Sequence, residues 1–203
     1  MRGRPRPELN ARARWAVLAG YVAIIYTSLP WGPWIGLHLM RTRPGAWLLG
    51  PGLGVVATVG VLALLVVLRR RRAEAWAYAA ILIAGVGYAV ALSALRANRL
   101  ERTHLVEYGV AAWLAWRALA ATAPGEPWTY VAAAALASAI GYGDELLQAI
   151  VPGRYYDLRD VAMNATGALL GTLVIAAVHG GKARHKGVVP AASAEIASPG
   201  RAG

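Results

Sequence analysis

Apolar positions in this chain fall in six long runs, not in the narrow stripe of a soluble amphipathic helix. They cover about Trp15–Leu29, Ala46–Leu68, Ala75–Leu95, His104–Ala121, Trp128–Ile150 and Val161–His179. Most approach the twenty or so residues that a helix needs to cross a bilayer. The first is short and stops at "LPWGPW", where Pro30 and Pro33 argue against a regular helix. It has the length of a signal peptide's apolar core, but no small-residue cleavage site follows, so it is expected to stay as a span. The second run is closed by four arginines, Arg69–Arg72. The pattern predicts an all-α, polytopic transmembrane helix bundle of about six spans over residues 15–179. A basic, proline-containing segment, 1–14, precedes it, and a small-residue tail, 180–203, is expected to be disordered.

Composition agrees. Of 203 residues, 58% are hydrophobic and only 15% charged, and the mean hydropathy is +0.45. That describes one membrane domain better than a soluble one. Cysteine is absent, which excludes disulfides and thiolate metal sites. The net charge of +11 could suggest nucleic acid, but the basic residues flank apolar runs and form no stripe with interleaved aromatics, so no nucleic-acid partner is expected. With the N-terminus inside, the inner segments carry 13 Lys and Arg and the outer loops seven. The positive-inside rule then places both termini in the cytoplasm of a multi-pass cell-membrane protein. The outer loops, with Arg41, Arg43, Arg96, Arg99, Arg102, Arg154 and Arg159, are still unusually basic. "GPGLG" at 50–54 follows no strand and is not a nucleotide loop.

Polar residues fall into stripes. On the fifth run, Ser138, Gly141, Glu145 and Gln148 share one helical face; on the fourth, His104 faces with Glu107 and Tyr108; on the sixth, Asp160, Asn164, Gly167 and Gly171 align. All three stripes lie toward one membrane surface, which the charge count makes extracytoplasmic. Acids at the end of a helix oppose its dipole, and a lone carboxylate in lipid costs about 2.5–3.5 kcal/mol on the insertion scale. Asp144 and Glu145 therefore need partners, and the surplus outer arginines are the expected counter-charge. Plainer roles stay open: Asp160 as a helix N-cap, Asp144 in water at the headgroups, His104 as a cap, Tyr108 as a belt aromatic, and Gly167 with Gly171 as a packing face.

The stretch "DELLQAIVPGRYYDLRDVAMNATGALLG" resembles the signature of the VanZ-like family of bacterial membrane proteins. The matching residues are Glu145, Gln148, Pro152, Gly153, Arg154, Asp160, Asn164, Gly167 and Gly171. Upstream, His104 and Tyr108 in "HLVEYGVAAWLA" resemble the family's histidine element. The likeness covers about 99–175. Where members often carry a lysine ahead of the histidine and a phenylalanine after it, this chain has Glu101 and Leu105, and Arg102 stands nearby. The family is named for resistance to the glycopeptide teicoplanin, so the resemblance implies a cell-envelope context and a link to antibiotic resistance, but no reaction.

Two functional expectations follow. In the first, His104, Tyr108, Glu145, Gln148, Arg154, Asp160 and Asn164 form a polar pocket at the outer surface. It binds a membrane lipid, a lipid-linked cell-wall precursor or a lipoglycopeptide; Arg154 holds phosphate or carboxylate by its fork, with Glu145 fixing that arginine. In the second, the chain is an enzyme acting on a lipid headgroup, with Glu145 or His104 as general base and Arg154 stabilising developing charge. No cofactor is called for, and no spacing demands a metal. A transporter would place its polar groups nearer mid-membrane.

Overall fold

The structure, a computed structural model, describes residues 7–94 and 101–180. The expected tail beyond 180 and the outer arginines Arg96 and Arg99 lie outside the described residues. Among the described residues every element is helical. The order is α1 (Pro7–Ser28), α2 (Gly32–Met40), α3 (Arg43–Trp47), a π-helical turn (Leu48–Gly52), α4 (Leu53–Arg70), α5 (Ala75–Ala94), α6 (Arg102–Thr122), α7 (Trp128–Gln148) and α8 (Leu158–His179).

Differences from the pattern have local causes. Helix α1 starts eight residues before the first apolar run, with Pro7 in its first turn, where proline costs no hydrogen bond. The basic stretch ahead of the run is thus partly helical, and Arg14 donates to the Arg117 carbonyl at 3.1 Å. Helix α2 was not expected. Pro33 sits in its first turn, and the α1–α2 pair bends by 74° across the Pro30 break. The second run is one helical stretch interrupted by the π turn, with Pro51 inside it and Gly50 at φ −114°, ψ −107°.

Helix α8 is the centre. It packs against α5, α6 and α7, while α1 lies on α6 and the end of α7. Close approach needs small residues. A Cβ at Gly171 would come 2.7 Å from the Gly109 Cα, and one at Gly167 would come 2.6 Å from the Leu105 carbonyl oxygen. The α6–α8 seam is therefore backbone against backbone, as a small-residue stripe in membrane helices allows. Ala111, Ala112, Ala115, Ala133, Ala137 and Ala168 fill the adjoining core around Tyr108, at 0% exposure each.

Three helical stretches are long and apolar enough to cross a membrane: Arg43–Arg70, Ala75–Ala94 and Leu158–His179. The bent α1–α2 pair makes a fourth if counted as one span. Helices α6 and α7, which the sequence pattern counts as spans, are not among them. Both are alanine-rich and carry charged residues, Glu107 and Arg117 on α6 and Asp144 and Glu145 on α7, and both are packed by neighbours. By contrast only 11% of the most apolar stretch of 43–70 is buried, and Val55, Val56, Val59, Leu62 and Val66 face outward.

The ends of the bundle differ. Arg14 meets α6 near Arg117, Arg71 donates to the Val178 carbonyl at 3.0 Å, and Trp116 stacks near His179 and Tyr130. Acids collect at the other end.

The Gly171 contact makes a test. Gly171→Ala should lower the thermal stability of the purified protein by about 1–3 kcal/mol, because its new methyl meets backbone that cannot swing aside. Gly85→Ala on α5, where nothing lies within 4 Å, should leave the melting temperature unchanged or slightly higher. Equal melting temperatures for wild type and Gly171→Ala would refute the close seam.

Candidate functional site

The acidic end holds a cleft of about 360 Å³ where five helix ends meet: the end of α1 with the start of α2, the start of α6, the end of α7 and the start of α8. Ser28, Leu29, Gly32 and Pro33 form one wall. His104 and Glu107 come from α6, Asp144 and Gln148 from α7, and Arg154, Tyr155, Asp157 and Asp160 from the loop and α8.

Three hydrogen-bonding features build it. The first is Gln148, only 2% exposed. Its amide nitrogen donates to Glu145 Oε1 at 2.7 Å and to Asp144 Oδ2 at 3.2 Å. Its amide oxygen accepts from the Arg154 guanidinium. Carboxylates only accept and guanidinium only donates, so this orientation of the amide is forced. The second is Glu145, at 0% exposure. Its other oxygen, Oε2, accepts the Asp157 backbone N–H at 3.2 Å, so the end of α7 is tied to the start of α8. The third is Asn164, also at 0% exposure. Its Nδ2 donates to the Gly141 carbonyl at 3.1 Å, which leaves Oδ1 facing His104 Nδ1 at 3.1 Å. The histidine proton must therefore sit on Nδ1, and Nε2 is left to accept, or to donate in the imidazolium.

The seven residues singled out by the sequence are placed as follows. His104, Gln148, Arg154 and Asp160 line the cleft. Tyr108, Glu145 and Asn164 stand behind them, fully buried. Among the described residues, no ion pair within 4.0 Å joins Glu145 to Arg154; Gln148 carries that link. Both Glu145 oxygens are taken and its side chain is not part of the lining, so Glu145 is badly placed to remove a proton from anything in the cleft. Asp144 is not wet at the surface but 1% exposed. The N-cap of α8 is Asp157, whose Oδ1 accepts from the Arg159 N–H at 2.8 Å. Asp160, in the first turn, is left to face the cleft. Gly167 and Gly171 pack helices. Ser138 is only half-buried, at the edge of its expected face.

The arginines expected in outer loops are partly accounted for. Arg159 pairs with Glu101 at 3.4 Å and with Asp157 at 3.9 Å. These contacts are exposed and are worth about 0–1 kcal/mol each; they join the starts of α6 and α8. Arg154 is half-buried and turned inward.

Sequence reading missed the α1–α2 wall, Asp144, Glu107 and Asp157 as parts of the site. Asp157 had a signal, an Asp just ahead of a helical run with an acid three residues on. The α1 wall had none. It is brought in by Tyr21, whose hydroxyl donates to the Glu107 carbonyl at 3.0 Å, and by Tyr26, which donates to the Ile140 carbonyl at 2.9 Å.

Among the described residues, three buried oxygens lack a hydrogen-bond partner: Tyr108 Oη, Asp144 Oδ1 and Asp160 Oδ1. Native interiors rarely leave such groups unanswered. Among the described residues, no group of three or more His, Asp and Glu stands close enough to hold a metal ion.

No curated protein and no solved structure matches the chain. Residues 100–179 match the family model VanZ/LLP1. That span contains α6, α7, α8, the Gln148 node, the His104–Asn164 pair and the Arg154 loop. On this match and this arrangement, residues 100–179 of the chain carry a VanZ-like domain.

Proposed function

We propose that the protein is a multi-pass cell-envelope membrane protein whose cleft binds the headgroup of a membrane lipid or a lipid-linked cell-wall precursor. The carrying observation is the cleft itself. It is of ligand size, since pockets for small molecules run from about 300 to 1,000 Å³. It lies at a helix-end surface, and its polar lining is held from behind by buried amides. Its surroundings suit lipid. Tyr155 lines it at 75% exposure, and Trp31 and Trp34 stand exposed on either side of the Gly32–Pro33 wall, as interfacial aromatics do.

The orientation rests on charge. Six spans are read as α1 with α2, α3 with α4, α5, α6, α7 and α8. Helices α6 and α7 have 21 residues each; at 1.5 Å per residue this is about 30 Å, the thickness of the hydrocarbon core. Their modest apolarity is tolerable because protein covers much of their surface. The arginine-rich end, with Arg14, Arg71 and Arg117, is then cytoplasmic, both termini lie there, and the cleft faces outward. A headgroup site on that side gives a route to altered susceptibility to glycopeptides and lipoglycopeptides, which also act there.

In the cleft, Arg154 offers its remaining donors to phosphate or carboxylate. Gln148 holds the guanidinium in place and Glu145 holds Gln148. The part assigned to Glu145 is thus to brace the amide, one step removed from the arginine.

Three outcomes test this reading. Because the chain has no cysteine, single cysteines report topology. Tyr155→Cys should react with an impermeant thiol reagent in intact cells, and Ala73→Cys only after permeabilisation; the reverse would turn the cleft to the cytoplasm. Lipid that copurifies with wild type, identified by mass spectrometry, should be lost from Arg154→Ala and largely from Arg154→Lys, since a point charge does not replace the fork. Retention of the same lipid by Arg154→Ala would remove the binding reading. Gln148→Leu should lower stability by about 1–3 kcal/mol, by stranding buried acceptors and the guanidinium, whereas Glu145→Gln should cost less and keep most of the lipid. Denaturation and lipid content measured on the same preparations compare the two.

A further inference from the structure

The cleft is more acidic than an anion site should be. Its lining holds five carboxylates, from Glu101, Glu107, Asp144, Asp157 and Asp160, against one guanidinium, Arg154, and one imidazole, His104. Arg159 pairs with Glu101 and Asp157 at the rim. Glu107, Asp144 and Asp160 have no ion pair within 4.0 Å among the described residues. Arg154 spends a donor on a neutral amide, not on an acid. An independent observation concerns Asp144. It is 1% exposed and lines the cleft, and while its Oδ2 takes the Gln148 N–H, its Oδ1 takes nothing. The Tyr108 hydroxyl stands beside it and interacts with it, but among the described residues neither oxygen has a hydrogen bond of full geometry. Asp160 Oδ1 is in the same condition on the neighbouring helix. Buried acceptors of this kind call for a donor, and clustered carboxylates call for positive charge.

We infer, resting on the headgroup reading above, that the occupant carries a primary ammonium, bound by Asp144, Asp160 and Glu107, with its phosphate on Arg154. The chemistry of the acceptors decides between cations. An ammonium has three donors on a compact charge, and Glu107, Asp144 and Asp160 present carboxylates to the one cleft from α6, α7 and α8. A metal ion would need these oxygens to converge within about 2–2.6 Å of one point, and they do not form such a group. The order of charges along the cleft fits a zwitterion: fully buried acid at Asp144, half-buried arginine at Arg154. An anionic headgroup without an amine would satisfy Arg154 and leave the acids facing each other. The same ammonium could belong to a soluble amine, so the source has to be separated by experiment.

The test varies the ligand rather than the protein, which avoids variants that fail to fold. Full-length protein in detergent micelles is titrated calorimetrically with short-chain phosphatidylethanolamine, its N-acetyl derivative, short-chain phosphatidylglycerol, and free ethanolamine. N-acetylation removes the charge and two donors and leaves phosphate and tails in place. The expected result is phosphatidylethanolamine binding about tenfold or more tighter than the N-acetyl and glycerol lipids, with the preference lost in Asp144→Asn. If all three lipids bind alike and Arg154→Ala abolishes each, the headgroup reading stands and the ammonium inference is overturned. If ethanolamine alone binds as tightly as the lipid, the ammonium site stands and the lipid source is overturned. If none of the four binds, both fall.

Discussion

Two carboxylates, side by side and out of water at the end of a helix, set the terms for this end of the molecule. Nothing in α7 can satisfy Asp144 and Glu145 except the next residue on their own face. Gln148 answers both, one amide hydrogen to each, and its oxygen then has to find a donor. Arg154 is that donor. The loop must turn at Val151–Gly153 to bring it back, which is where Gly153 takes φ +79°. The Asp157 N–H closes on Glu145 from the other side. Burial of acid therefore dictates the turn, the arginine and the start of α8 together, with the α6–α8 seam bringing His104 to Asn164 from the third side.

The same chain of contacts explains why so much of the site is legible in the sequence. Helical spacing alone puts Gln148 one turn from Asp144 and Glu145, and Asn164 one turn from Asp160. The seams at Gly167 and Gly171 followed from their spacing in an apolar run. Roles were harder. Spacing does not say whether an acid lines a cavity or stands behind it: it pairs Glu145 with the arginine that Gln148 holds, and it leaves open whether Asp144 is wet or partnered. That distinction depends on how far α1 and α6 cover the end of α7, which is a matter of tertiary packing.

The fold was legible to the same depth. Helix bounds at 75, 128 and 179 follow from charge and proline at the run ends. Interruptions of apolar runs were less visible. Helix α2 is apolar on every side, so no period betrays it, and the π turn at Leu48–Gly52 lies in a stretch whose hydropathy does not change. Length and hydropathy also part company. Helices α6 and α7 have the length of spans but gain their stability from alanine-to-alanine contact, where small side chains give dispersion and close approach without much apolar area.

The contacts made by α1 reach further than their modest energy. Tyr21 and Tyr26 fasten it to carbonyls of α6 and α7, and its last turn closes the cleft. Yet α1 lies some seventy residues upstream of the stretch that the family pattern covers. The segment by which the protein is recognised and the assembly that encloses its cavity are thus not the same object. A piece cut to residues 100–179 would keep every motif and lose a wall. A substitution in α1 can therefore reshape the wall of the cleft while the hydrogen-bonded residues behind it stay untouched.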